Sequence, residues 1–250
     1  MSKIALITDS TSDLNKDQIE KYNIKVLPLR VIYKDREYID RVNITPSGVY
    51  DNLINEIPTT SLPSISEANN LFAKLVDEGY THAIAICISS GVSGTYNMLN
   101  IASKDYSSII THVFDSKSLT MGEGAIVVEC GKLIAAGKSF DEIVEILPSI
   151  QSRIKVYYVL ETLTYLIKGG RIGKVAGIVG ELLKLKPIIS INDEGTYYTY
   201  SKVRGRNKSI AKLAEIAHDA LMKAKSKIWV LHGGALEDAF LLVMLGKYFG

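Results

Sequence analysis

The sequence has little of what marks a cross-linked, metal-holding or membrane-spanning chain. There are 2 cysteines in 250 residues. Cys87 lies inside the apolar run IAICI and Cys130 inside IVVECGKLI, so both read as core residues rather than a disulfide or metal pair. The 4 histidines, His82, His112, His218 and His232, show no H-x-x-x-H spacing, so no metal site is expected. No stretch reaches the roughly 18 uninterrupted apolar residues of a membrane span. The start, MSKIALITDSTSD, lacks the charged opening, apolar run and small-residue cleavage site of a secretory signal, which makes the cytoplasm the expected address. Neither sign of charge dominates, with 29 Lys+Arg against 27 Asp+Glu. Nucleic-acid binding would need a local basic stripe, and the candidate, Lys202, Arg204, Arg206 and Lys208, is short. The G-x-S-x-G elbow and the phosphate-loop lysine are missing as well, and no catalytic residue is nominated.

What the chain does have is core-forming material. At 47% hydrophobic it can bury a substantial core as one large domain or two smaller ones. β-Branched runs at residues 3–8, 25–33, 83–89 and 110–114 alternate with helical patterns, which is the α/β signature. Helix ends are legible: Thr45 before Pro46, Gly79 after the Ala68, Leu71, Phe72, Leu75 repeat, and Ser139 with Glu142 as a capping box. After about Ser152 the texture changes. A strand at 156–159, a helix to Ile167, two strands joined by a turn at 192–195, a helix through Ile210 and Leu221, a strand at 227–231 and a last helix after Gly234 follow. The expected fold is therefore two-lobed α/β, with an N-terminal parallel-sheet α/β domain over 1–152 and a C-terminal mixed-sheet α/β domain over 153–250.

Four segments could carry chemistry. In CISSGVSGTYNML an apolar strand ends in a hydroxyl-rich, glycine-bent turn that opens a helix. Such a turn aims backbone N–H groups and the positive helix end at one place, which suits an anion or an ordinary capped helix start. In IPTTSLPS, prolines stiffen a loop bearing Thr59, Thr60, Ser61 and Ser64, whose hydroxyls also suit the cap of the following helix. TDSTSD ends the first strand at the sheet edge where ligands of open parallel sheets bind. Asp9 and Asp13 there make a magnesium-dependent phosphoryl-transfer enzyme the alternative function, although capping suits them better. In KGGRIGKVAGIVGELLKLK, Ile172, Val175, Ala176, Val179 and Leu183 share a helical stripe thinned by Gly173, Gly177 and Gly180. That leaves room for a slender apolar ligand or for close helix packing.

Together and in order, ITDSTSDL, LPLRVIY, PTTSLPS, ISSGVSGTYN, VFDSKSLTMGEG, YLIKGGRIG, LKPIISINDEG and KVRGR resemble the DegV family over nearly the whole chain. The resemblance implies a lipid-binding protein without chemistry of its own. It would hold one long-chain fatty acid such as palmitate or oleate, with the tail in an apolar tunnel of the C-terminal lobe and the carboxylate where the lobes meet. No other cofactor and no metal is implied. The matching head-group positions are Thr60 and Ser93, with Thr59, Ser61 and Gly94 as neighbours. Some family members present the acyl group to a separate ATP-dependent fatty acid kinase for phospholipid synthesis, which makes Arg171 and Arg204 the matching entrance or partner-surface positions. Family members also continue past the helix at 235–248 into a final strand and a His-Thr-Gly-Pro-Gly loop beside the carboxylate. This sequence ends at Gly250, so that strand and histidine are expected to be missing.

Overall fold

The protein is described by a computed structural model covering residues 2–173, 175 and 185–247. It divides into two compact units, the first made of Met1–Thr45, Pro58–Lys155 and Asp193–Gly195, the second of Pro46–Ile57, Val156–Asn192 and Thr196–Gly250. In chain order the elements are β1 (Ile4–Asp9), a 3-10 turn (Ser10–Ser12), α1 (Lys16–Lys21), β2 (Lys25–Leu27), β3 (Arg30–Ile32), β4 (Glu37–Ile39), α2 (Pro46–Asn52), β5 (Thr59–Ser61), α3 (Ile65–Asp77), β6 (His82–Cys87) and α4 (Thr95–Lys104). They continue with β7 (Ile110–Asp115), α5 (Met121–Ala135), α6 (Phe140–Arg153), β8 (Tyr157–Tyr158), α7 (Thr164–Lys168), β9 (Ile188–Ile191), β10 (Tyr197–Ser201), α8 (Arg206–Lys223) and α9 (Leu236–Lys247).

The first unit is built on a parallel sheet of order β2-β1-β6-β7. Alternate side chains of its central strands leave on opposite faces, as the pleat requires. Ala5, Ile7, Ala83, Ala85 and Cys87 join Phe72 and Leu75 of α3 and Met98, Leu99 and Ala102 of α4. Leu6, Ile84 and Ile86 join Ala125, Ile126 and Cys130 of α5 and Ile143, Leu147 and Ile150 of α6. A parallel sheet needs cover on both faces, and these helices supply it. The chain adds β2 on one side of β1 and β6 on the other. The carboxyl ends of β1 and β6 therefore flank the switch point of the sheet, where a crevice forms in open α/β folds.

The run at 25–33, expected as one strand, is two. Pro28 has no N–H for a ladder, so β2 stays in the parallel sheet while β3 centres an antiparallel sheet of order β4-β3-β5. Helix starts follow the expected chemistry at α3 and α6, where Ser64 with Glu67 and Ser139 with Glu142 form capping boxes, and α1 adds Asn15 with Gln18. The helix α4 differs: it opens at Gly94 with no side-chain cap.

The second unit carries the antiparallel sheet β10-β9-β8, with β9 and β10 paired as expected. Tyr157 meets Tyr200, and Tyr158 meets Tyr197, edge to face at 4.8 and 5.9 Å. Arg206 Nε and Nη2 donate to Asp238 Oδ2 at 2.8 and 2.5 Å and tie the start of α8 to α9. The strand expected at 227–231 is irregular: among the described residues nothing pairs with it, and Ile228, Trp229 and Leu231 stay exposed. Phe240, Leu241, Val243 and Met244 of α9 are exposed too. On the glycine-rich segment Val175 is fully buried. Ala176, Val179, Leu183, Gly177 and Gly180 lie outside the described residues. Among the described residues no helix is long and apolar enough to cross a membrane.

Candidate functional site

At the switch point the end of β1 is stitched to the end of β6. Asp9 Oδ1 accepts from the Thr11 amide at 2.9 Å and the Thr11 hydroxyl at 2.5 Å, and Oδ2 accepts the Ile88 amide at 3.0 Å. Burial pushes the Asp9 carboxyl up from its ordinary range, and the Thr11 and Ile88 donors oppose that rise. Both oxygens are thus engaged in holding backbone, the capping role, and Asp13 is paired with Arg41. Among the described residues no group of three or more His, Cys, Asp or Glu could hold a metal ion.

Beyond Ile88 the chain enters the hydroxyl-rich turn. The Ser89 amide donates to Ser118 O at 2.9 Å and its hydroxyl to Gly195 O at 2.7 Å. The Ser90 amide and hydroxyl both donate to Asp115, at 3.1 and 2.5 Å, and Asp115 also accepts the Lys117 amide at 2.9 Å. The amides of Val92 and Ser93 close on Ser89 O. Glycine is required at two places here. A Cβ on Gly91 would lie 2.6 Å from Gly195 O, and one on Gly195, at φ +77°, would lie 2.0 Å from Ser89 Oγ.

The turn is therefore fixed from beneath up to Ser93, and its far end is open. Ser93 Oγ and Thr95 Oγ1 are 2.9 Å apart, and Ser93 Oγ accepts the Thr95 amide at 3.4 Å. If Thr95 supplies the proton between the hydroxyls, the Ser93 proton is free to donate outward. The first amides of α4 point the same way, as the N-terminal amides of a helix do, and carry its positive end. The second hydroxyl segment is a strand that ends one residue before Leu62. Thr59, Thr60 and Ser61 form β5, opposite Ile32, Val31 and Arg30. The next residue, Leu62, reaches Gly94, where a Cβ would sit 3.6 Å from Leu62 Cδ2. Of this segment it is Leu62 that comes against Gly94, while Thr59 and Thr60 of β5 are exposed and Ser61 is half-buried. The hydrogen bonds of Ser93 run to Thr95 rather than to Thr60.

Arg171 and Arg204 belong to the second unit, and both are exposed. Arg171 Nη1 donates to Gly169 O at 2.6 Å. Its charge lies near Tyr197, whose hydroxyl burial pushes up and Arg171 partly restores. Leu185 and Arg204 pair as an isolated antiparallel bridge.

Reasoning from sequence did not find Asp115, Gly195 or Glu123. Glu123 is fully buried on α5 and accepts the Thr8 hydroxyl at 2.9 Å on one oxygen and approaches the Thr11 hydroxyl at 2.9 Å with the other. Burial, with the neighbouring Asp9 charge, pushes its carboxyl well above the usual range. The available signal was an acid flanked by two glycines in MGEGAIVVEC.

The model of the DegV family, described as a family of uncharacterised proteins, matches residues 3–243. The chain belongs to the DegV family. A DegV domain-containing protein of Clostridium acetobutylicum is 60% identical over 238 residues, covering 95% of this chain and 85% of that one. Among solved structures, a fatty acid binding DegV family protein of Streptococcus agalactiae superposes with a TM-score of 0.92 at 31% identity, over 99% of this chain and 88% of the other. A stearic acid-binding protein of Eubacterium ventriosum gives 0.81 at 29% identity, over 89% and 78%. The first matches this chain's architecture, which combines a parallel sheet with antiparallel ones, over 99% of the chain.

Proposed function

We propose that this DegV-family protein binds one long-chain fatty acid, with the carboxylate at the open end of the Ser89–Gly94 turn. The carrying observation is that α4, like α7 and α8 but unlike α1, α3, α5 and α6, starts without a side-chain cap on its N-cap residue, at the place where Ser93 and Thr95 gather and Leu62 meets Gly94. A carboxylate satisfies such a start. Ser93 and Thr60 are its donors, with Thr59, Ser61 and Gly94 shaping the surroundings. The fatty acids named for the streptococcal and eubacterial relatives support the ligand class.

Magnitudes assign the roles. A saturated C16 chain has about 14 methylenes, and burying them at ~0.8 kcal/mol each contributes about 11 kcal/mol before the costs of association. A hydrogen bond to the charged head group contributes roughly 1.5–3 kcal/mol. The tail supplies affinity, and the hydroxyls fix which end is presented. Neutral donors leave the carboxylate its charge and its reactivity toward a separate fatty acid kinase. The protein then needs no chemistry of its own, and Arg171 and Arg204 serve at the entrance or the kinase-facing surface. Its place of action on this reading is the cytoplasm.

Organic extraction of the purified protein followed by mass spectrometry is expected to release a long-chain fatty acid. Recovery of none, together with no binding of added palmitate or oleate, overturns the reading.

A further inference from the structure

The hydroxyl of Thr11 stands between two carboxylates, 2.5 Å from Asp9 Oδ1 and 2.9 Å from Glu123 Oε2. A hydroxyl has one proton to give. If both acids were ionised, one of these contacts would set an anionic oxygen against a lone pair with no hydrogen between them. One further proton must reside in the cluster. Its location follows from the donors. Asp9 accepts two backbone amides, those of Thr11 and Ile88, which cannot turn away and which favour the ionised form. Glu123 faces only hydroxyls, those of Thr8 and Thr11.

The surroundings agree. The groups acting with Glu123 are Asp9 at the end of β1, Asp13 just after the 3-10 turn and the buried thiol of Cys87 on β6, while α5 packs through Ala125 and Ile126 on apolar Ile143, Leu147 and Ile150 of α6. Asp40 acts on Asp9 and Asp13, and Asp115 on Cys87. The cation in this neighbourhood, Arg41, is taken by Asp13. Among the described residues, a full negative charge on Glu123 would be buried beside another without a counter-ion, an arrangement that folded proteins avoid by keeping one group neutral.

We propose that Glu123 is a positioning residue held as the neutral acid, donating its proton to Thr11, which in turn donates to ionised Asp9 and so fixes the Ile88 amide at the root of the Ser89–Gly94 turn. The relay runs Thr8 O–H to Glu123 Oε1, Glu123 Oε2–H to Thr11 Oγ1, and Thr11 O–H to Asp9 Oδ1. It makes the crevice edge of the first unit alkali-sensitive. The relay is set by hydrogen-bond geometry within the first unit and is independent of the ligand the turn takes.

Between the ordinary glutamate value of about 4.3 and the raised value in the fold, the native state carries one proton more than the unfolded state. Stability from this group is therefore complete at acid pH and falls as pH rises through that window, by up to tenfold in the unfolding constant per pH unit. Glu123→Gln keeps an acceptor for Thr8 and a donor for Thr11 without a titrating group. Urea unfolding across pH 5–9 is expected to show the decline in the wild type, reduced by one proton in Glu123→Gln. Infrared spectroscopy of the wild type at neutral pH is expected to show a protonated carboxylic acid band that is lost in the variant. No such band in the wild type, a band that survives Glu123→Gln and vanishes in Asp9→Asn, or equal pH slopes in wild type and Glu123→Gln each overturns the proposal.

Discussion

The Ser89 hydroxyl donates to the Gly195 carbonyl across 106 residues of sequence, at 2.7 Å. Gly195 sits at φ +77°, and any Cβ there would strike the same hydroxyl. Gly195→Ala is expected to lose the left-handed conformation, worth about 1–3 kcal/mol, and the Ser89 bond besides. Gly205, at φ +87° with nothing within 4 Å of its Cβ position, isolates the backbone part. Urea denaturation should therefore rank Gly195→Ala below Gly205→Ala in stability. Equal losses would show that the contact with Ser89 contributes nothing.

Ser93→Ala should leave the fold intact and weaken palmitate binding by about 10- to 150-fold, the equivalent of one charged hydrogen bond of roughly 1.5–3 kcal/mol. Shortening the ligand should weaken it by about fourfold per methylene, from ~0.8 kcal/mol each. The two effects should multiply in calorimetric titrations, because they act on opposite ends of the ligand. A variant that binds decanoate and palmitate equally well would show that the tail is not buried.

Gly124 lets α5 approach the 3-10 turn that follows β1. A Cβ at this position would lie 2.3 Å from the Ser12 carbonyl oxygen. Gly124→Ala should push that turn away, costing about 1–3 kcal/mol as overpacking does. Gly131→Ala meets Tyr22 Cγ and Cβ at 2.7 and 2.9 Å instead, which are longer approaches than 2.3 Å and made to a half-buried side chain at a helix end rather than to backbone. Thermal unfolding should find the Gly124 variant the less stable of the two.

At the start of α6, Glu142 accepts from Lys138 and from the amide and hydroxyl of Ser139, bonds that pull its carboxyl down to about 2. A depressed folded value means a contribution present above the ordinary glutamate value near 4.3 and lost as pH falls toward about 2. Glu142→Gln should accordingly melt earlier than the wild type at pH 7, with the gap closing in acid. A difference that stays constant from pH 7 to 2 would assign it to something other than this charge.

The parallel sheet was legible because its strands are β-branched runs ending at hydroxyl clusters, and the helices because Ser64, Ser139 and Gly79 sit where helix-end physics puts them. The run at 25–33 misled because its apolar pattern continues through Pro28, while ladder bonding does not. The strand expected at 227–231 failed for a different reason: IWVL has strand composition, but a strand exists only with a neighbour to pair with. In the site, the turn at Ser93 could be read locally because strand, glycine bend and helix are contiguous. Glu123 could not, since its hydroxyl partners Thr8 and Thr11 are 115 and 112 residues away and a single acid in a helix ordinarily faces solvent. Likewise Asp115 looks like a strand-end residue until the fold sets it under Ser90.

The bare start of α4 has a kinetic consequence. Amides at the head of an uncapped helix have no acceptor within the helix, so they exchange with water without waiting for the helix to open. On the proposed reading, a carboxylate seated there would complete the helix from outside the chain and make the ligand part of the folding unit. Tyr96 and Asn97 would then be timekeepers: the lifetime of their protons would report how long the head group stays, and loss of the ligand would show as faster exchange in this first turn.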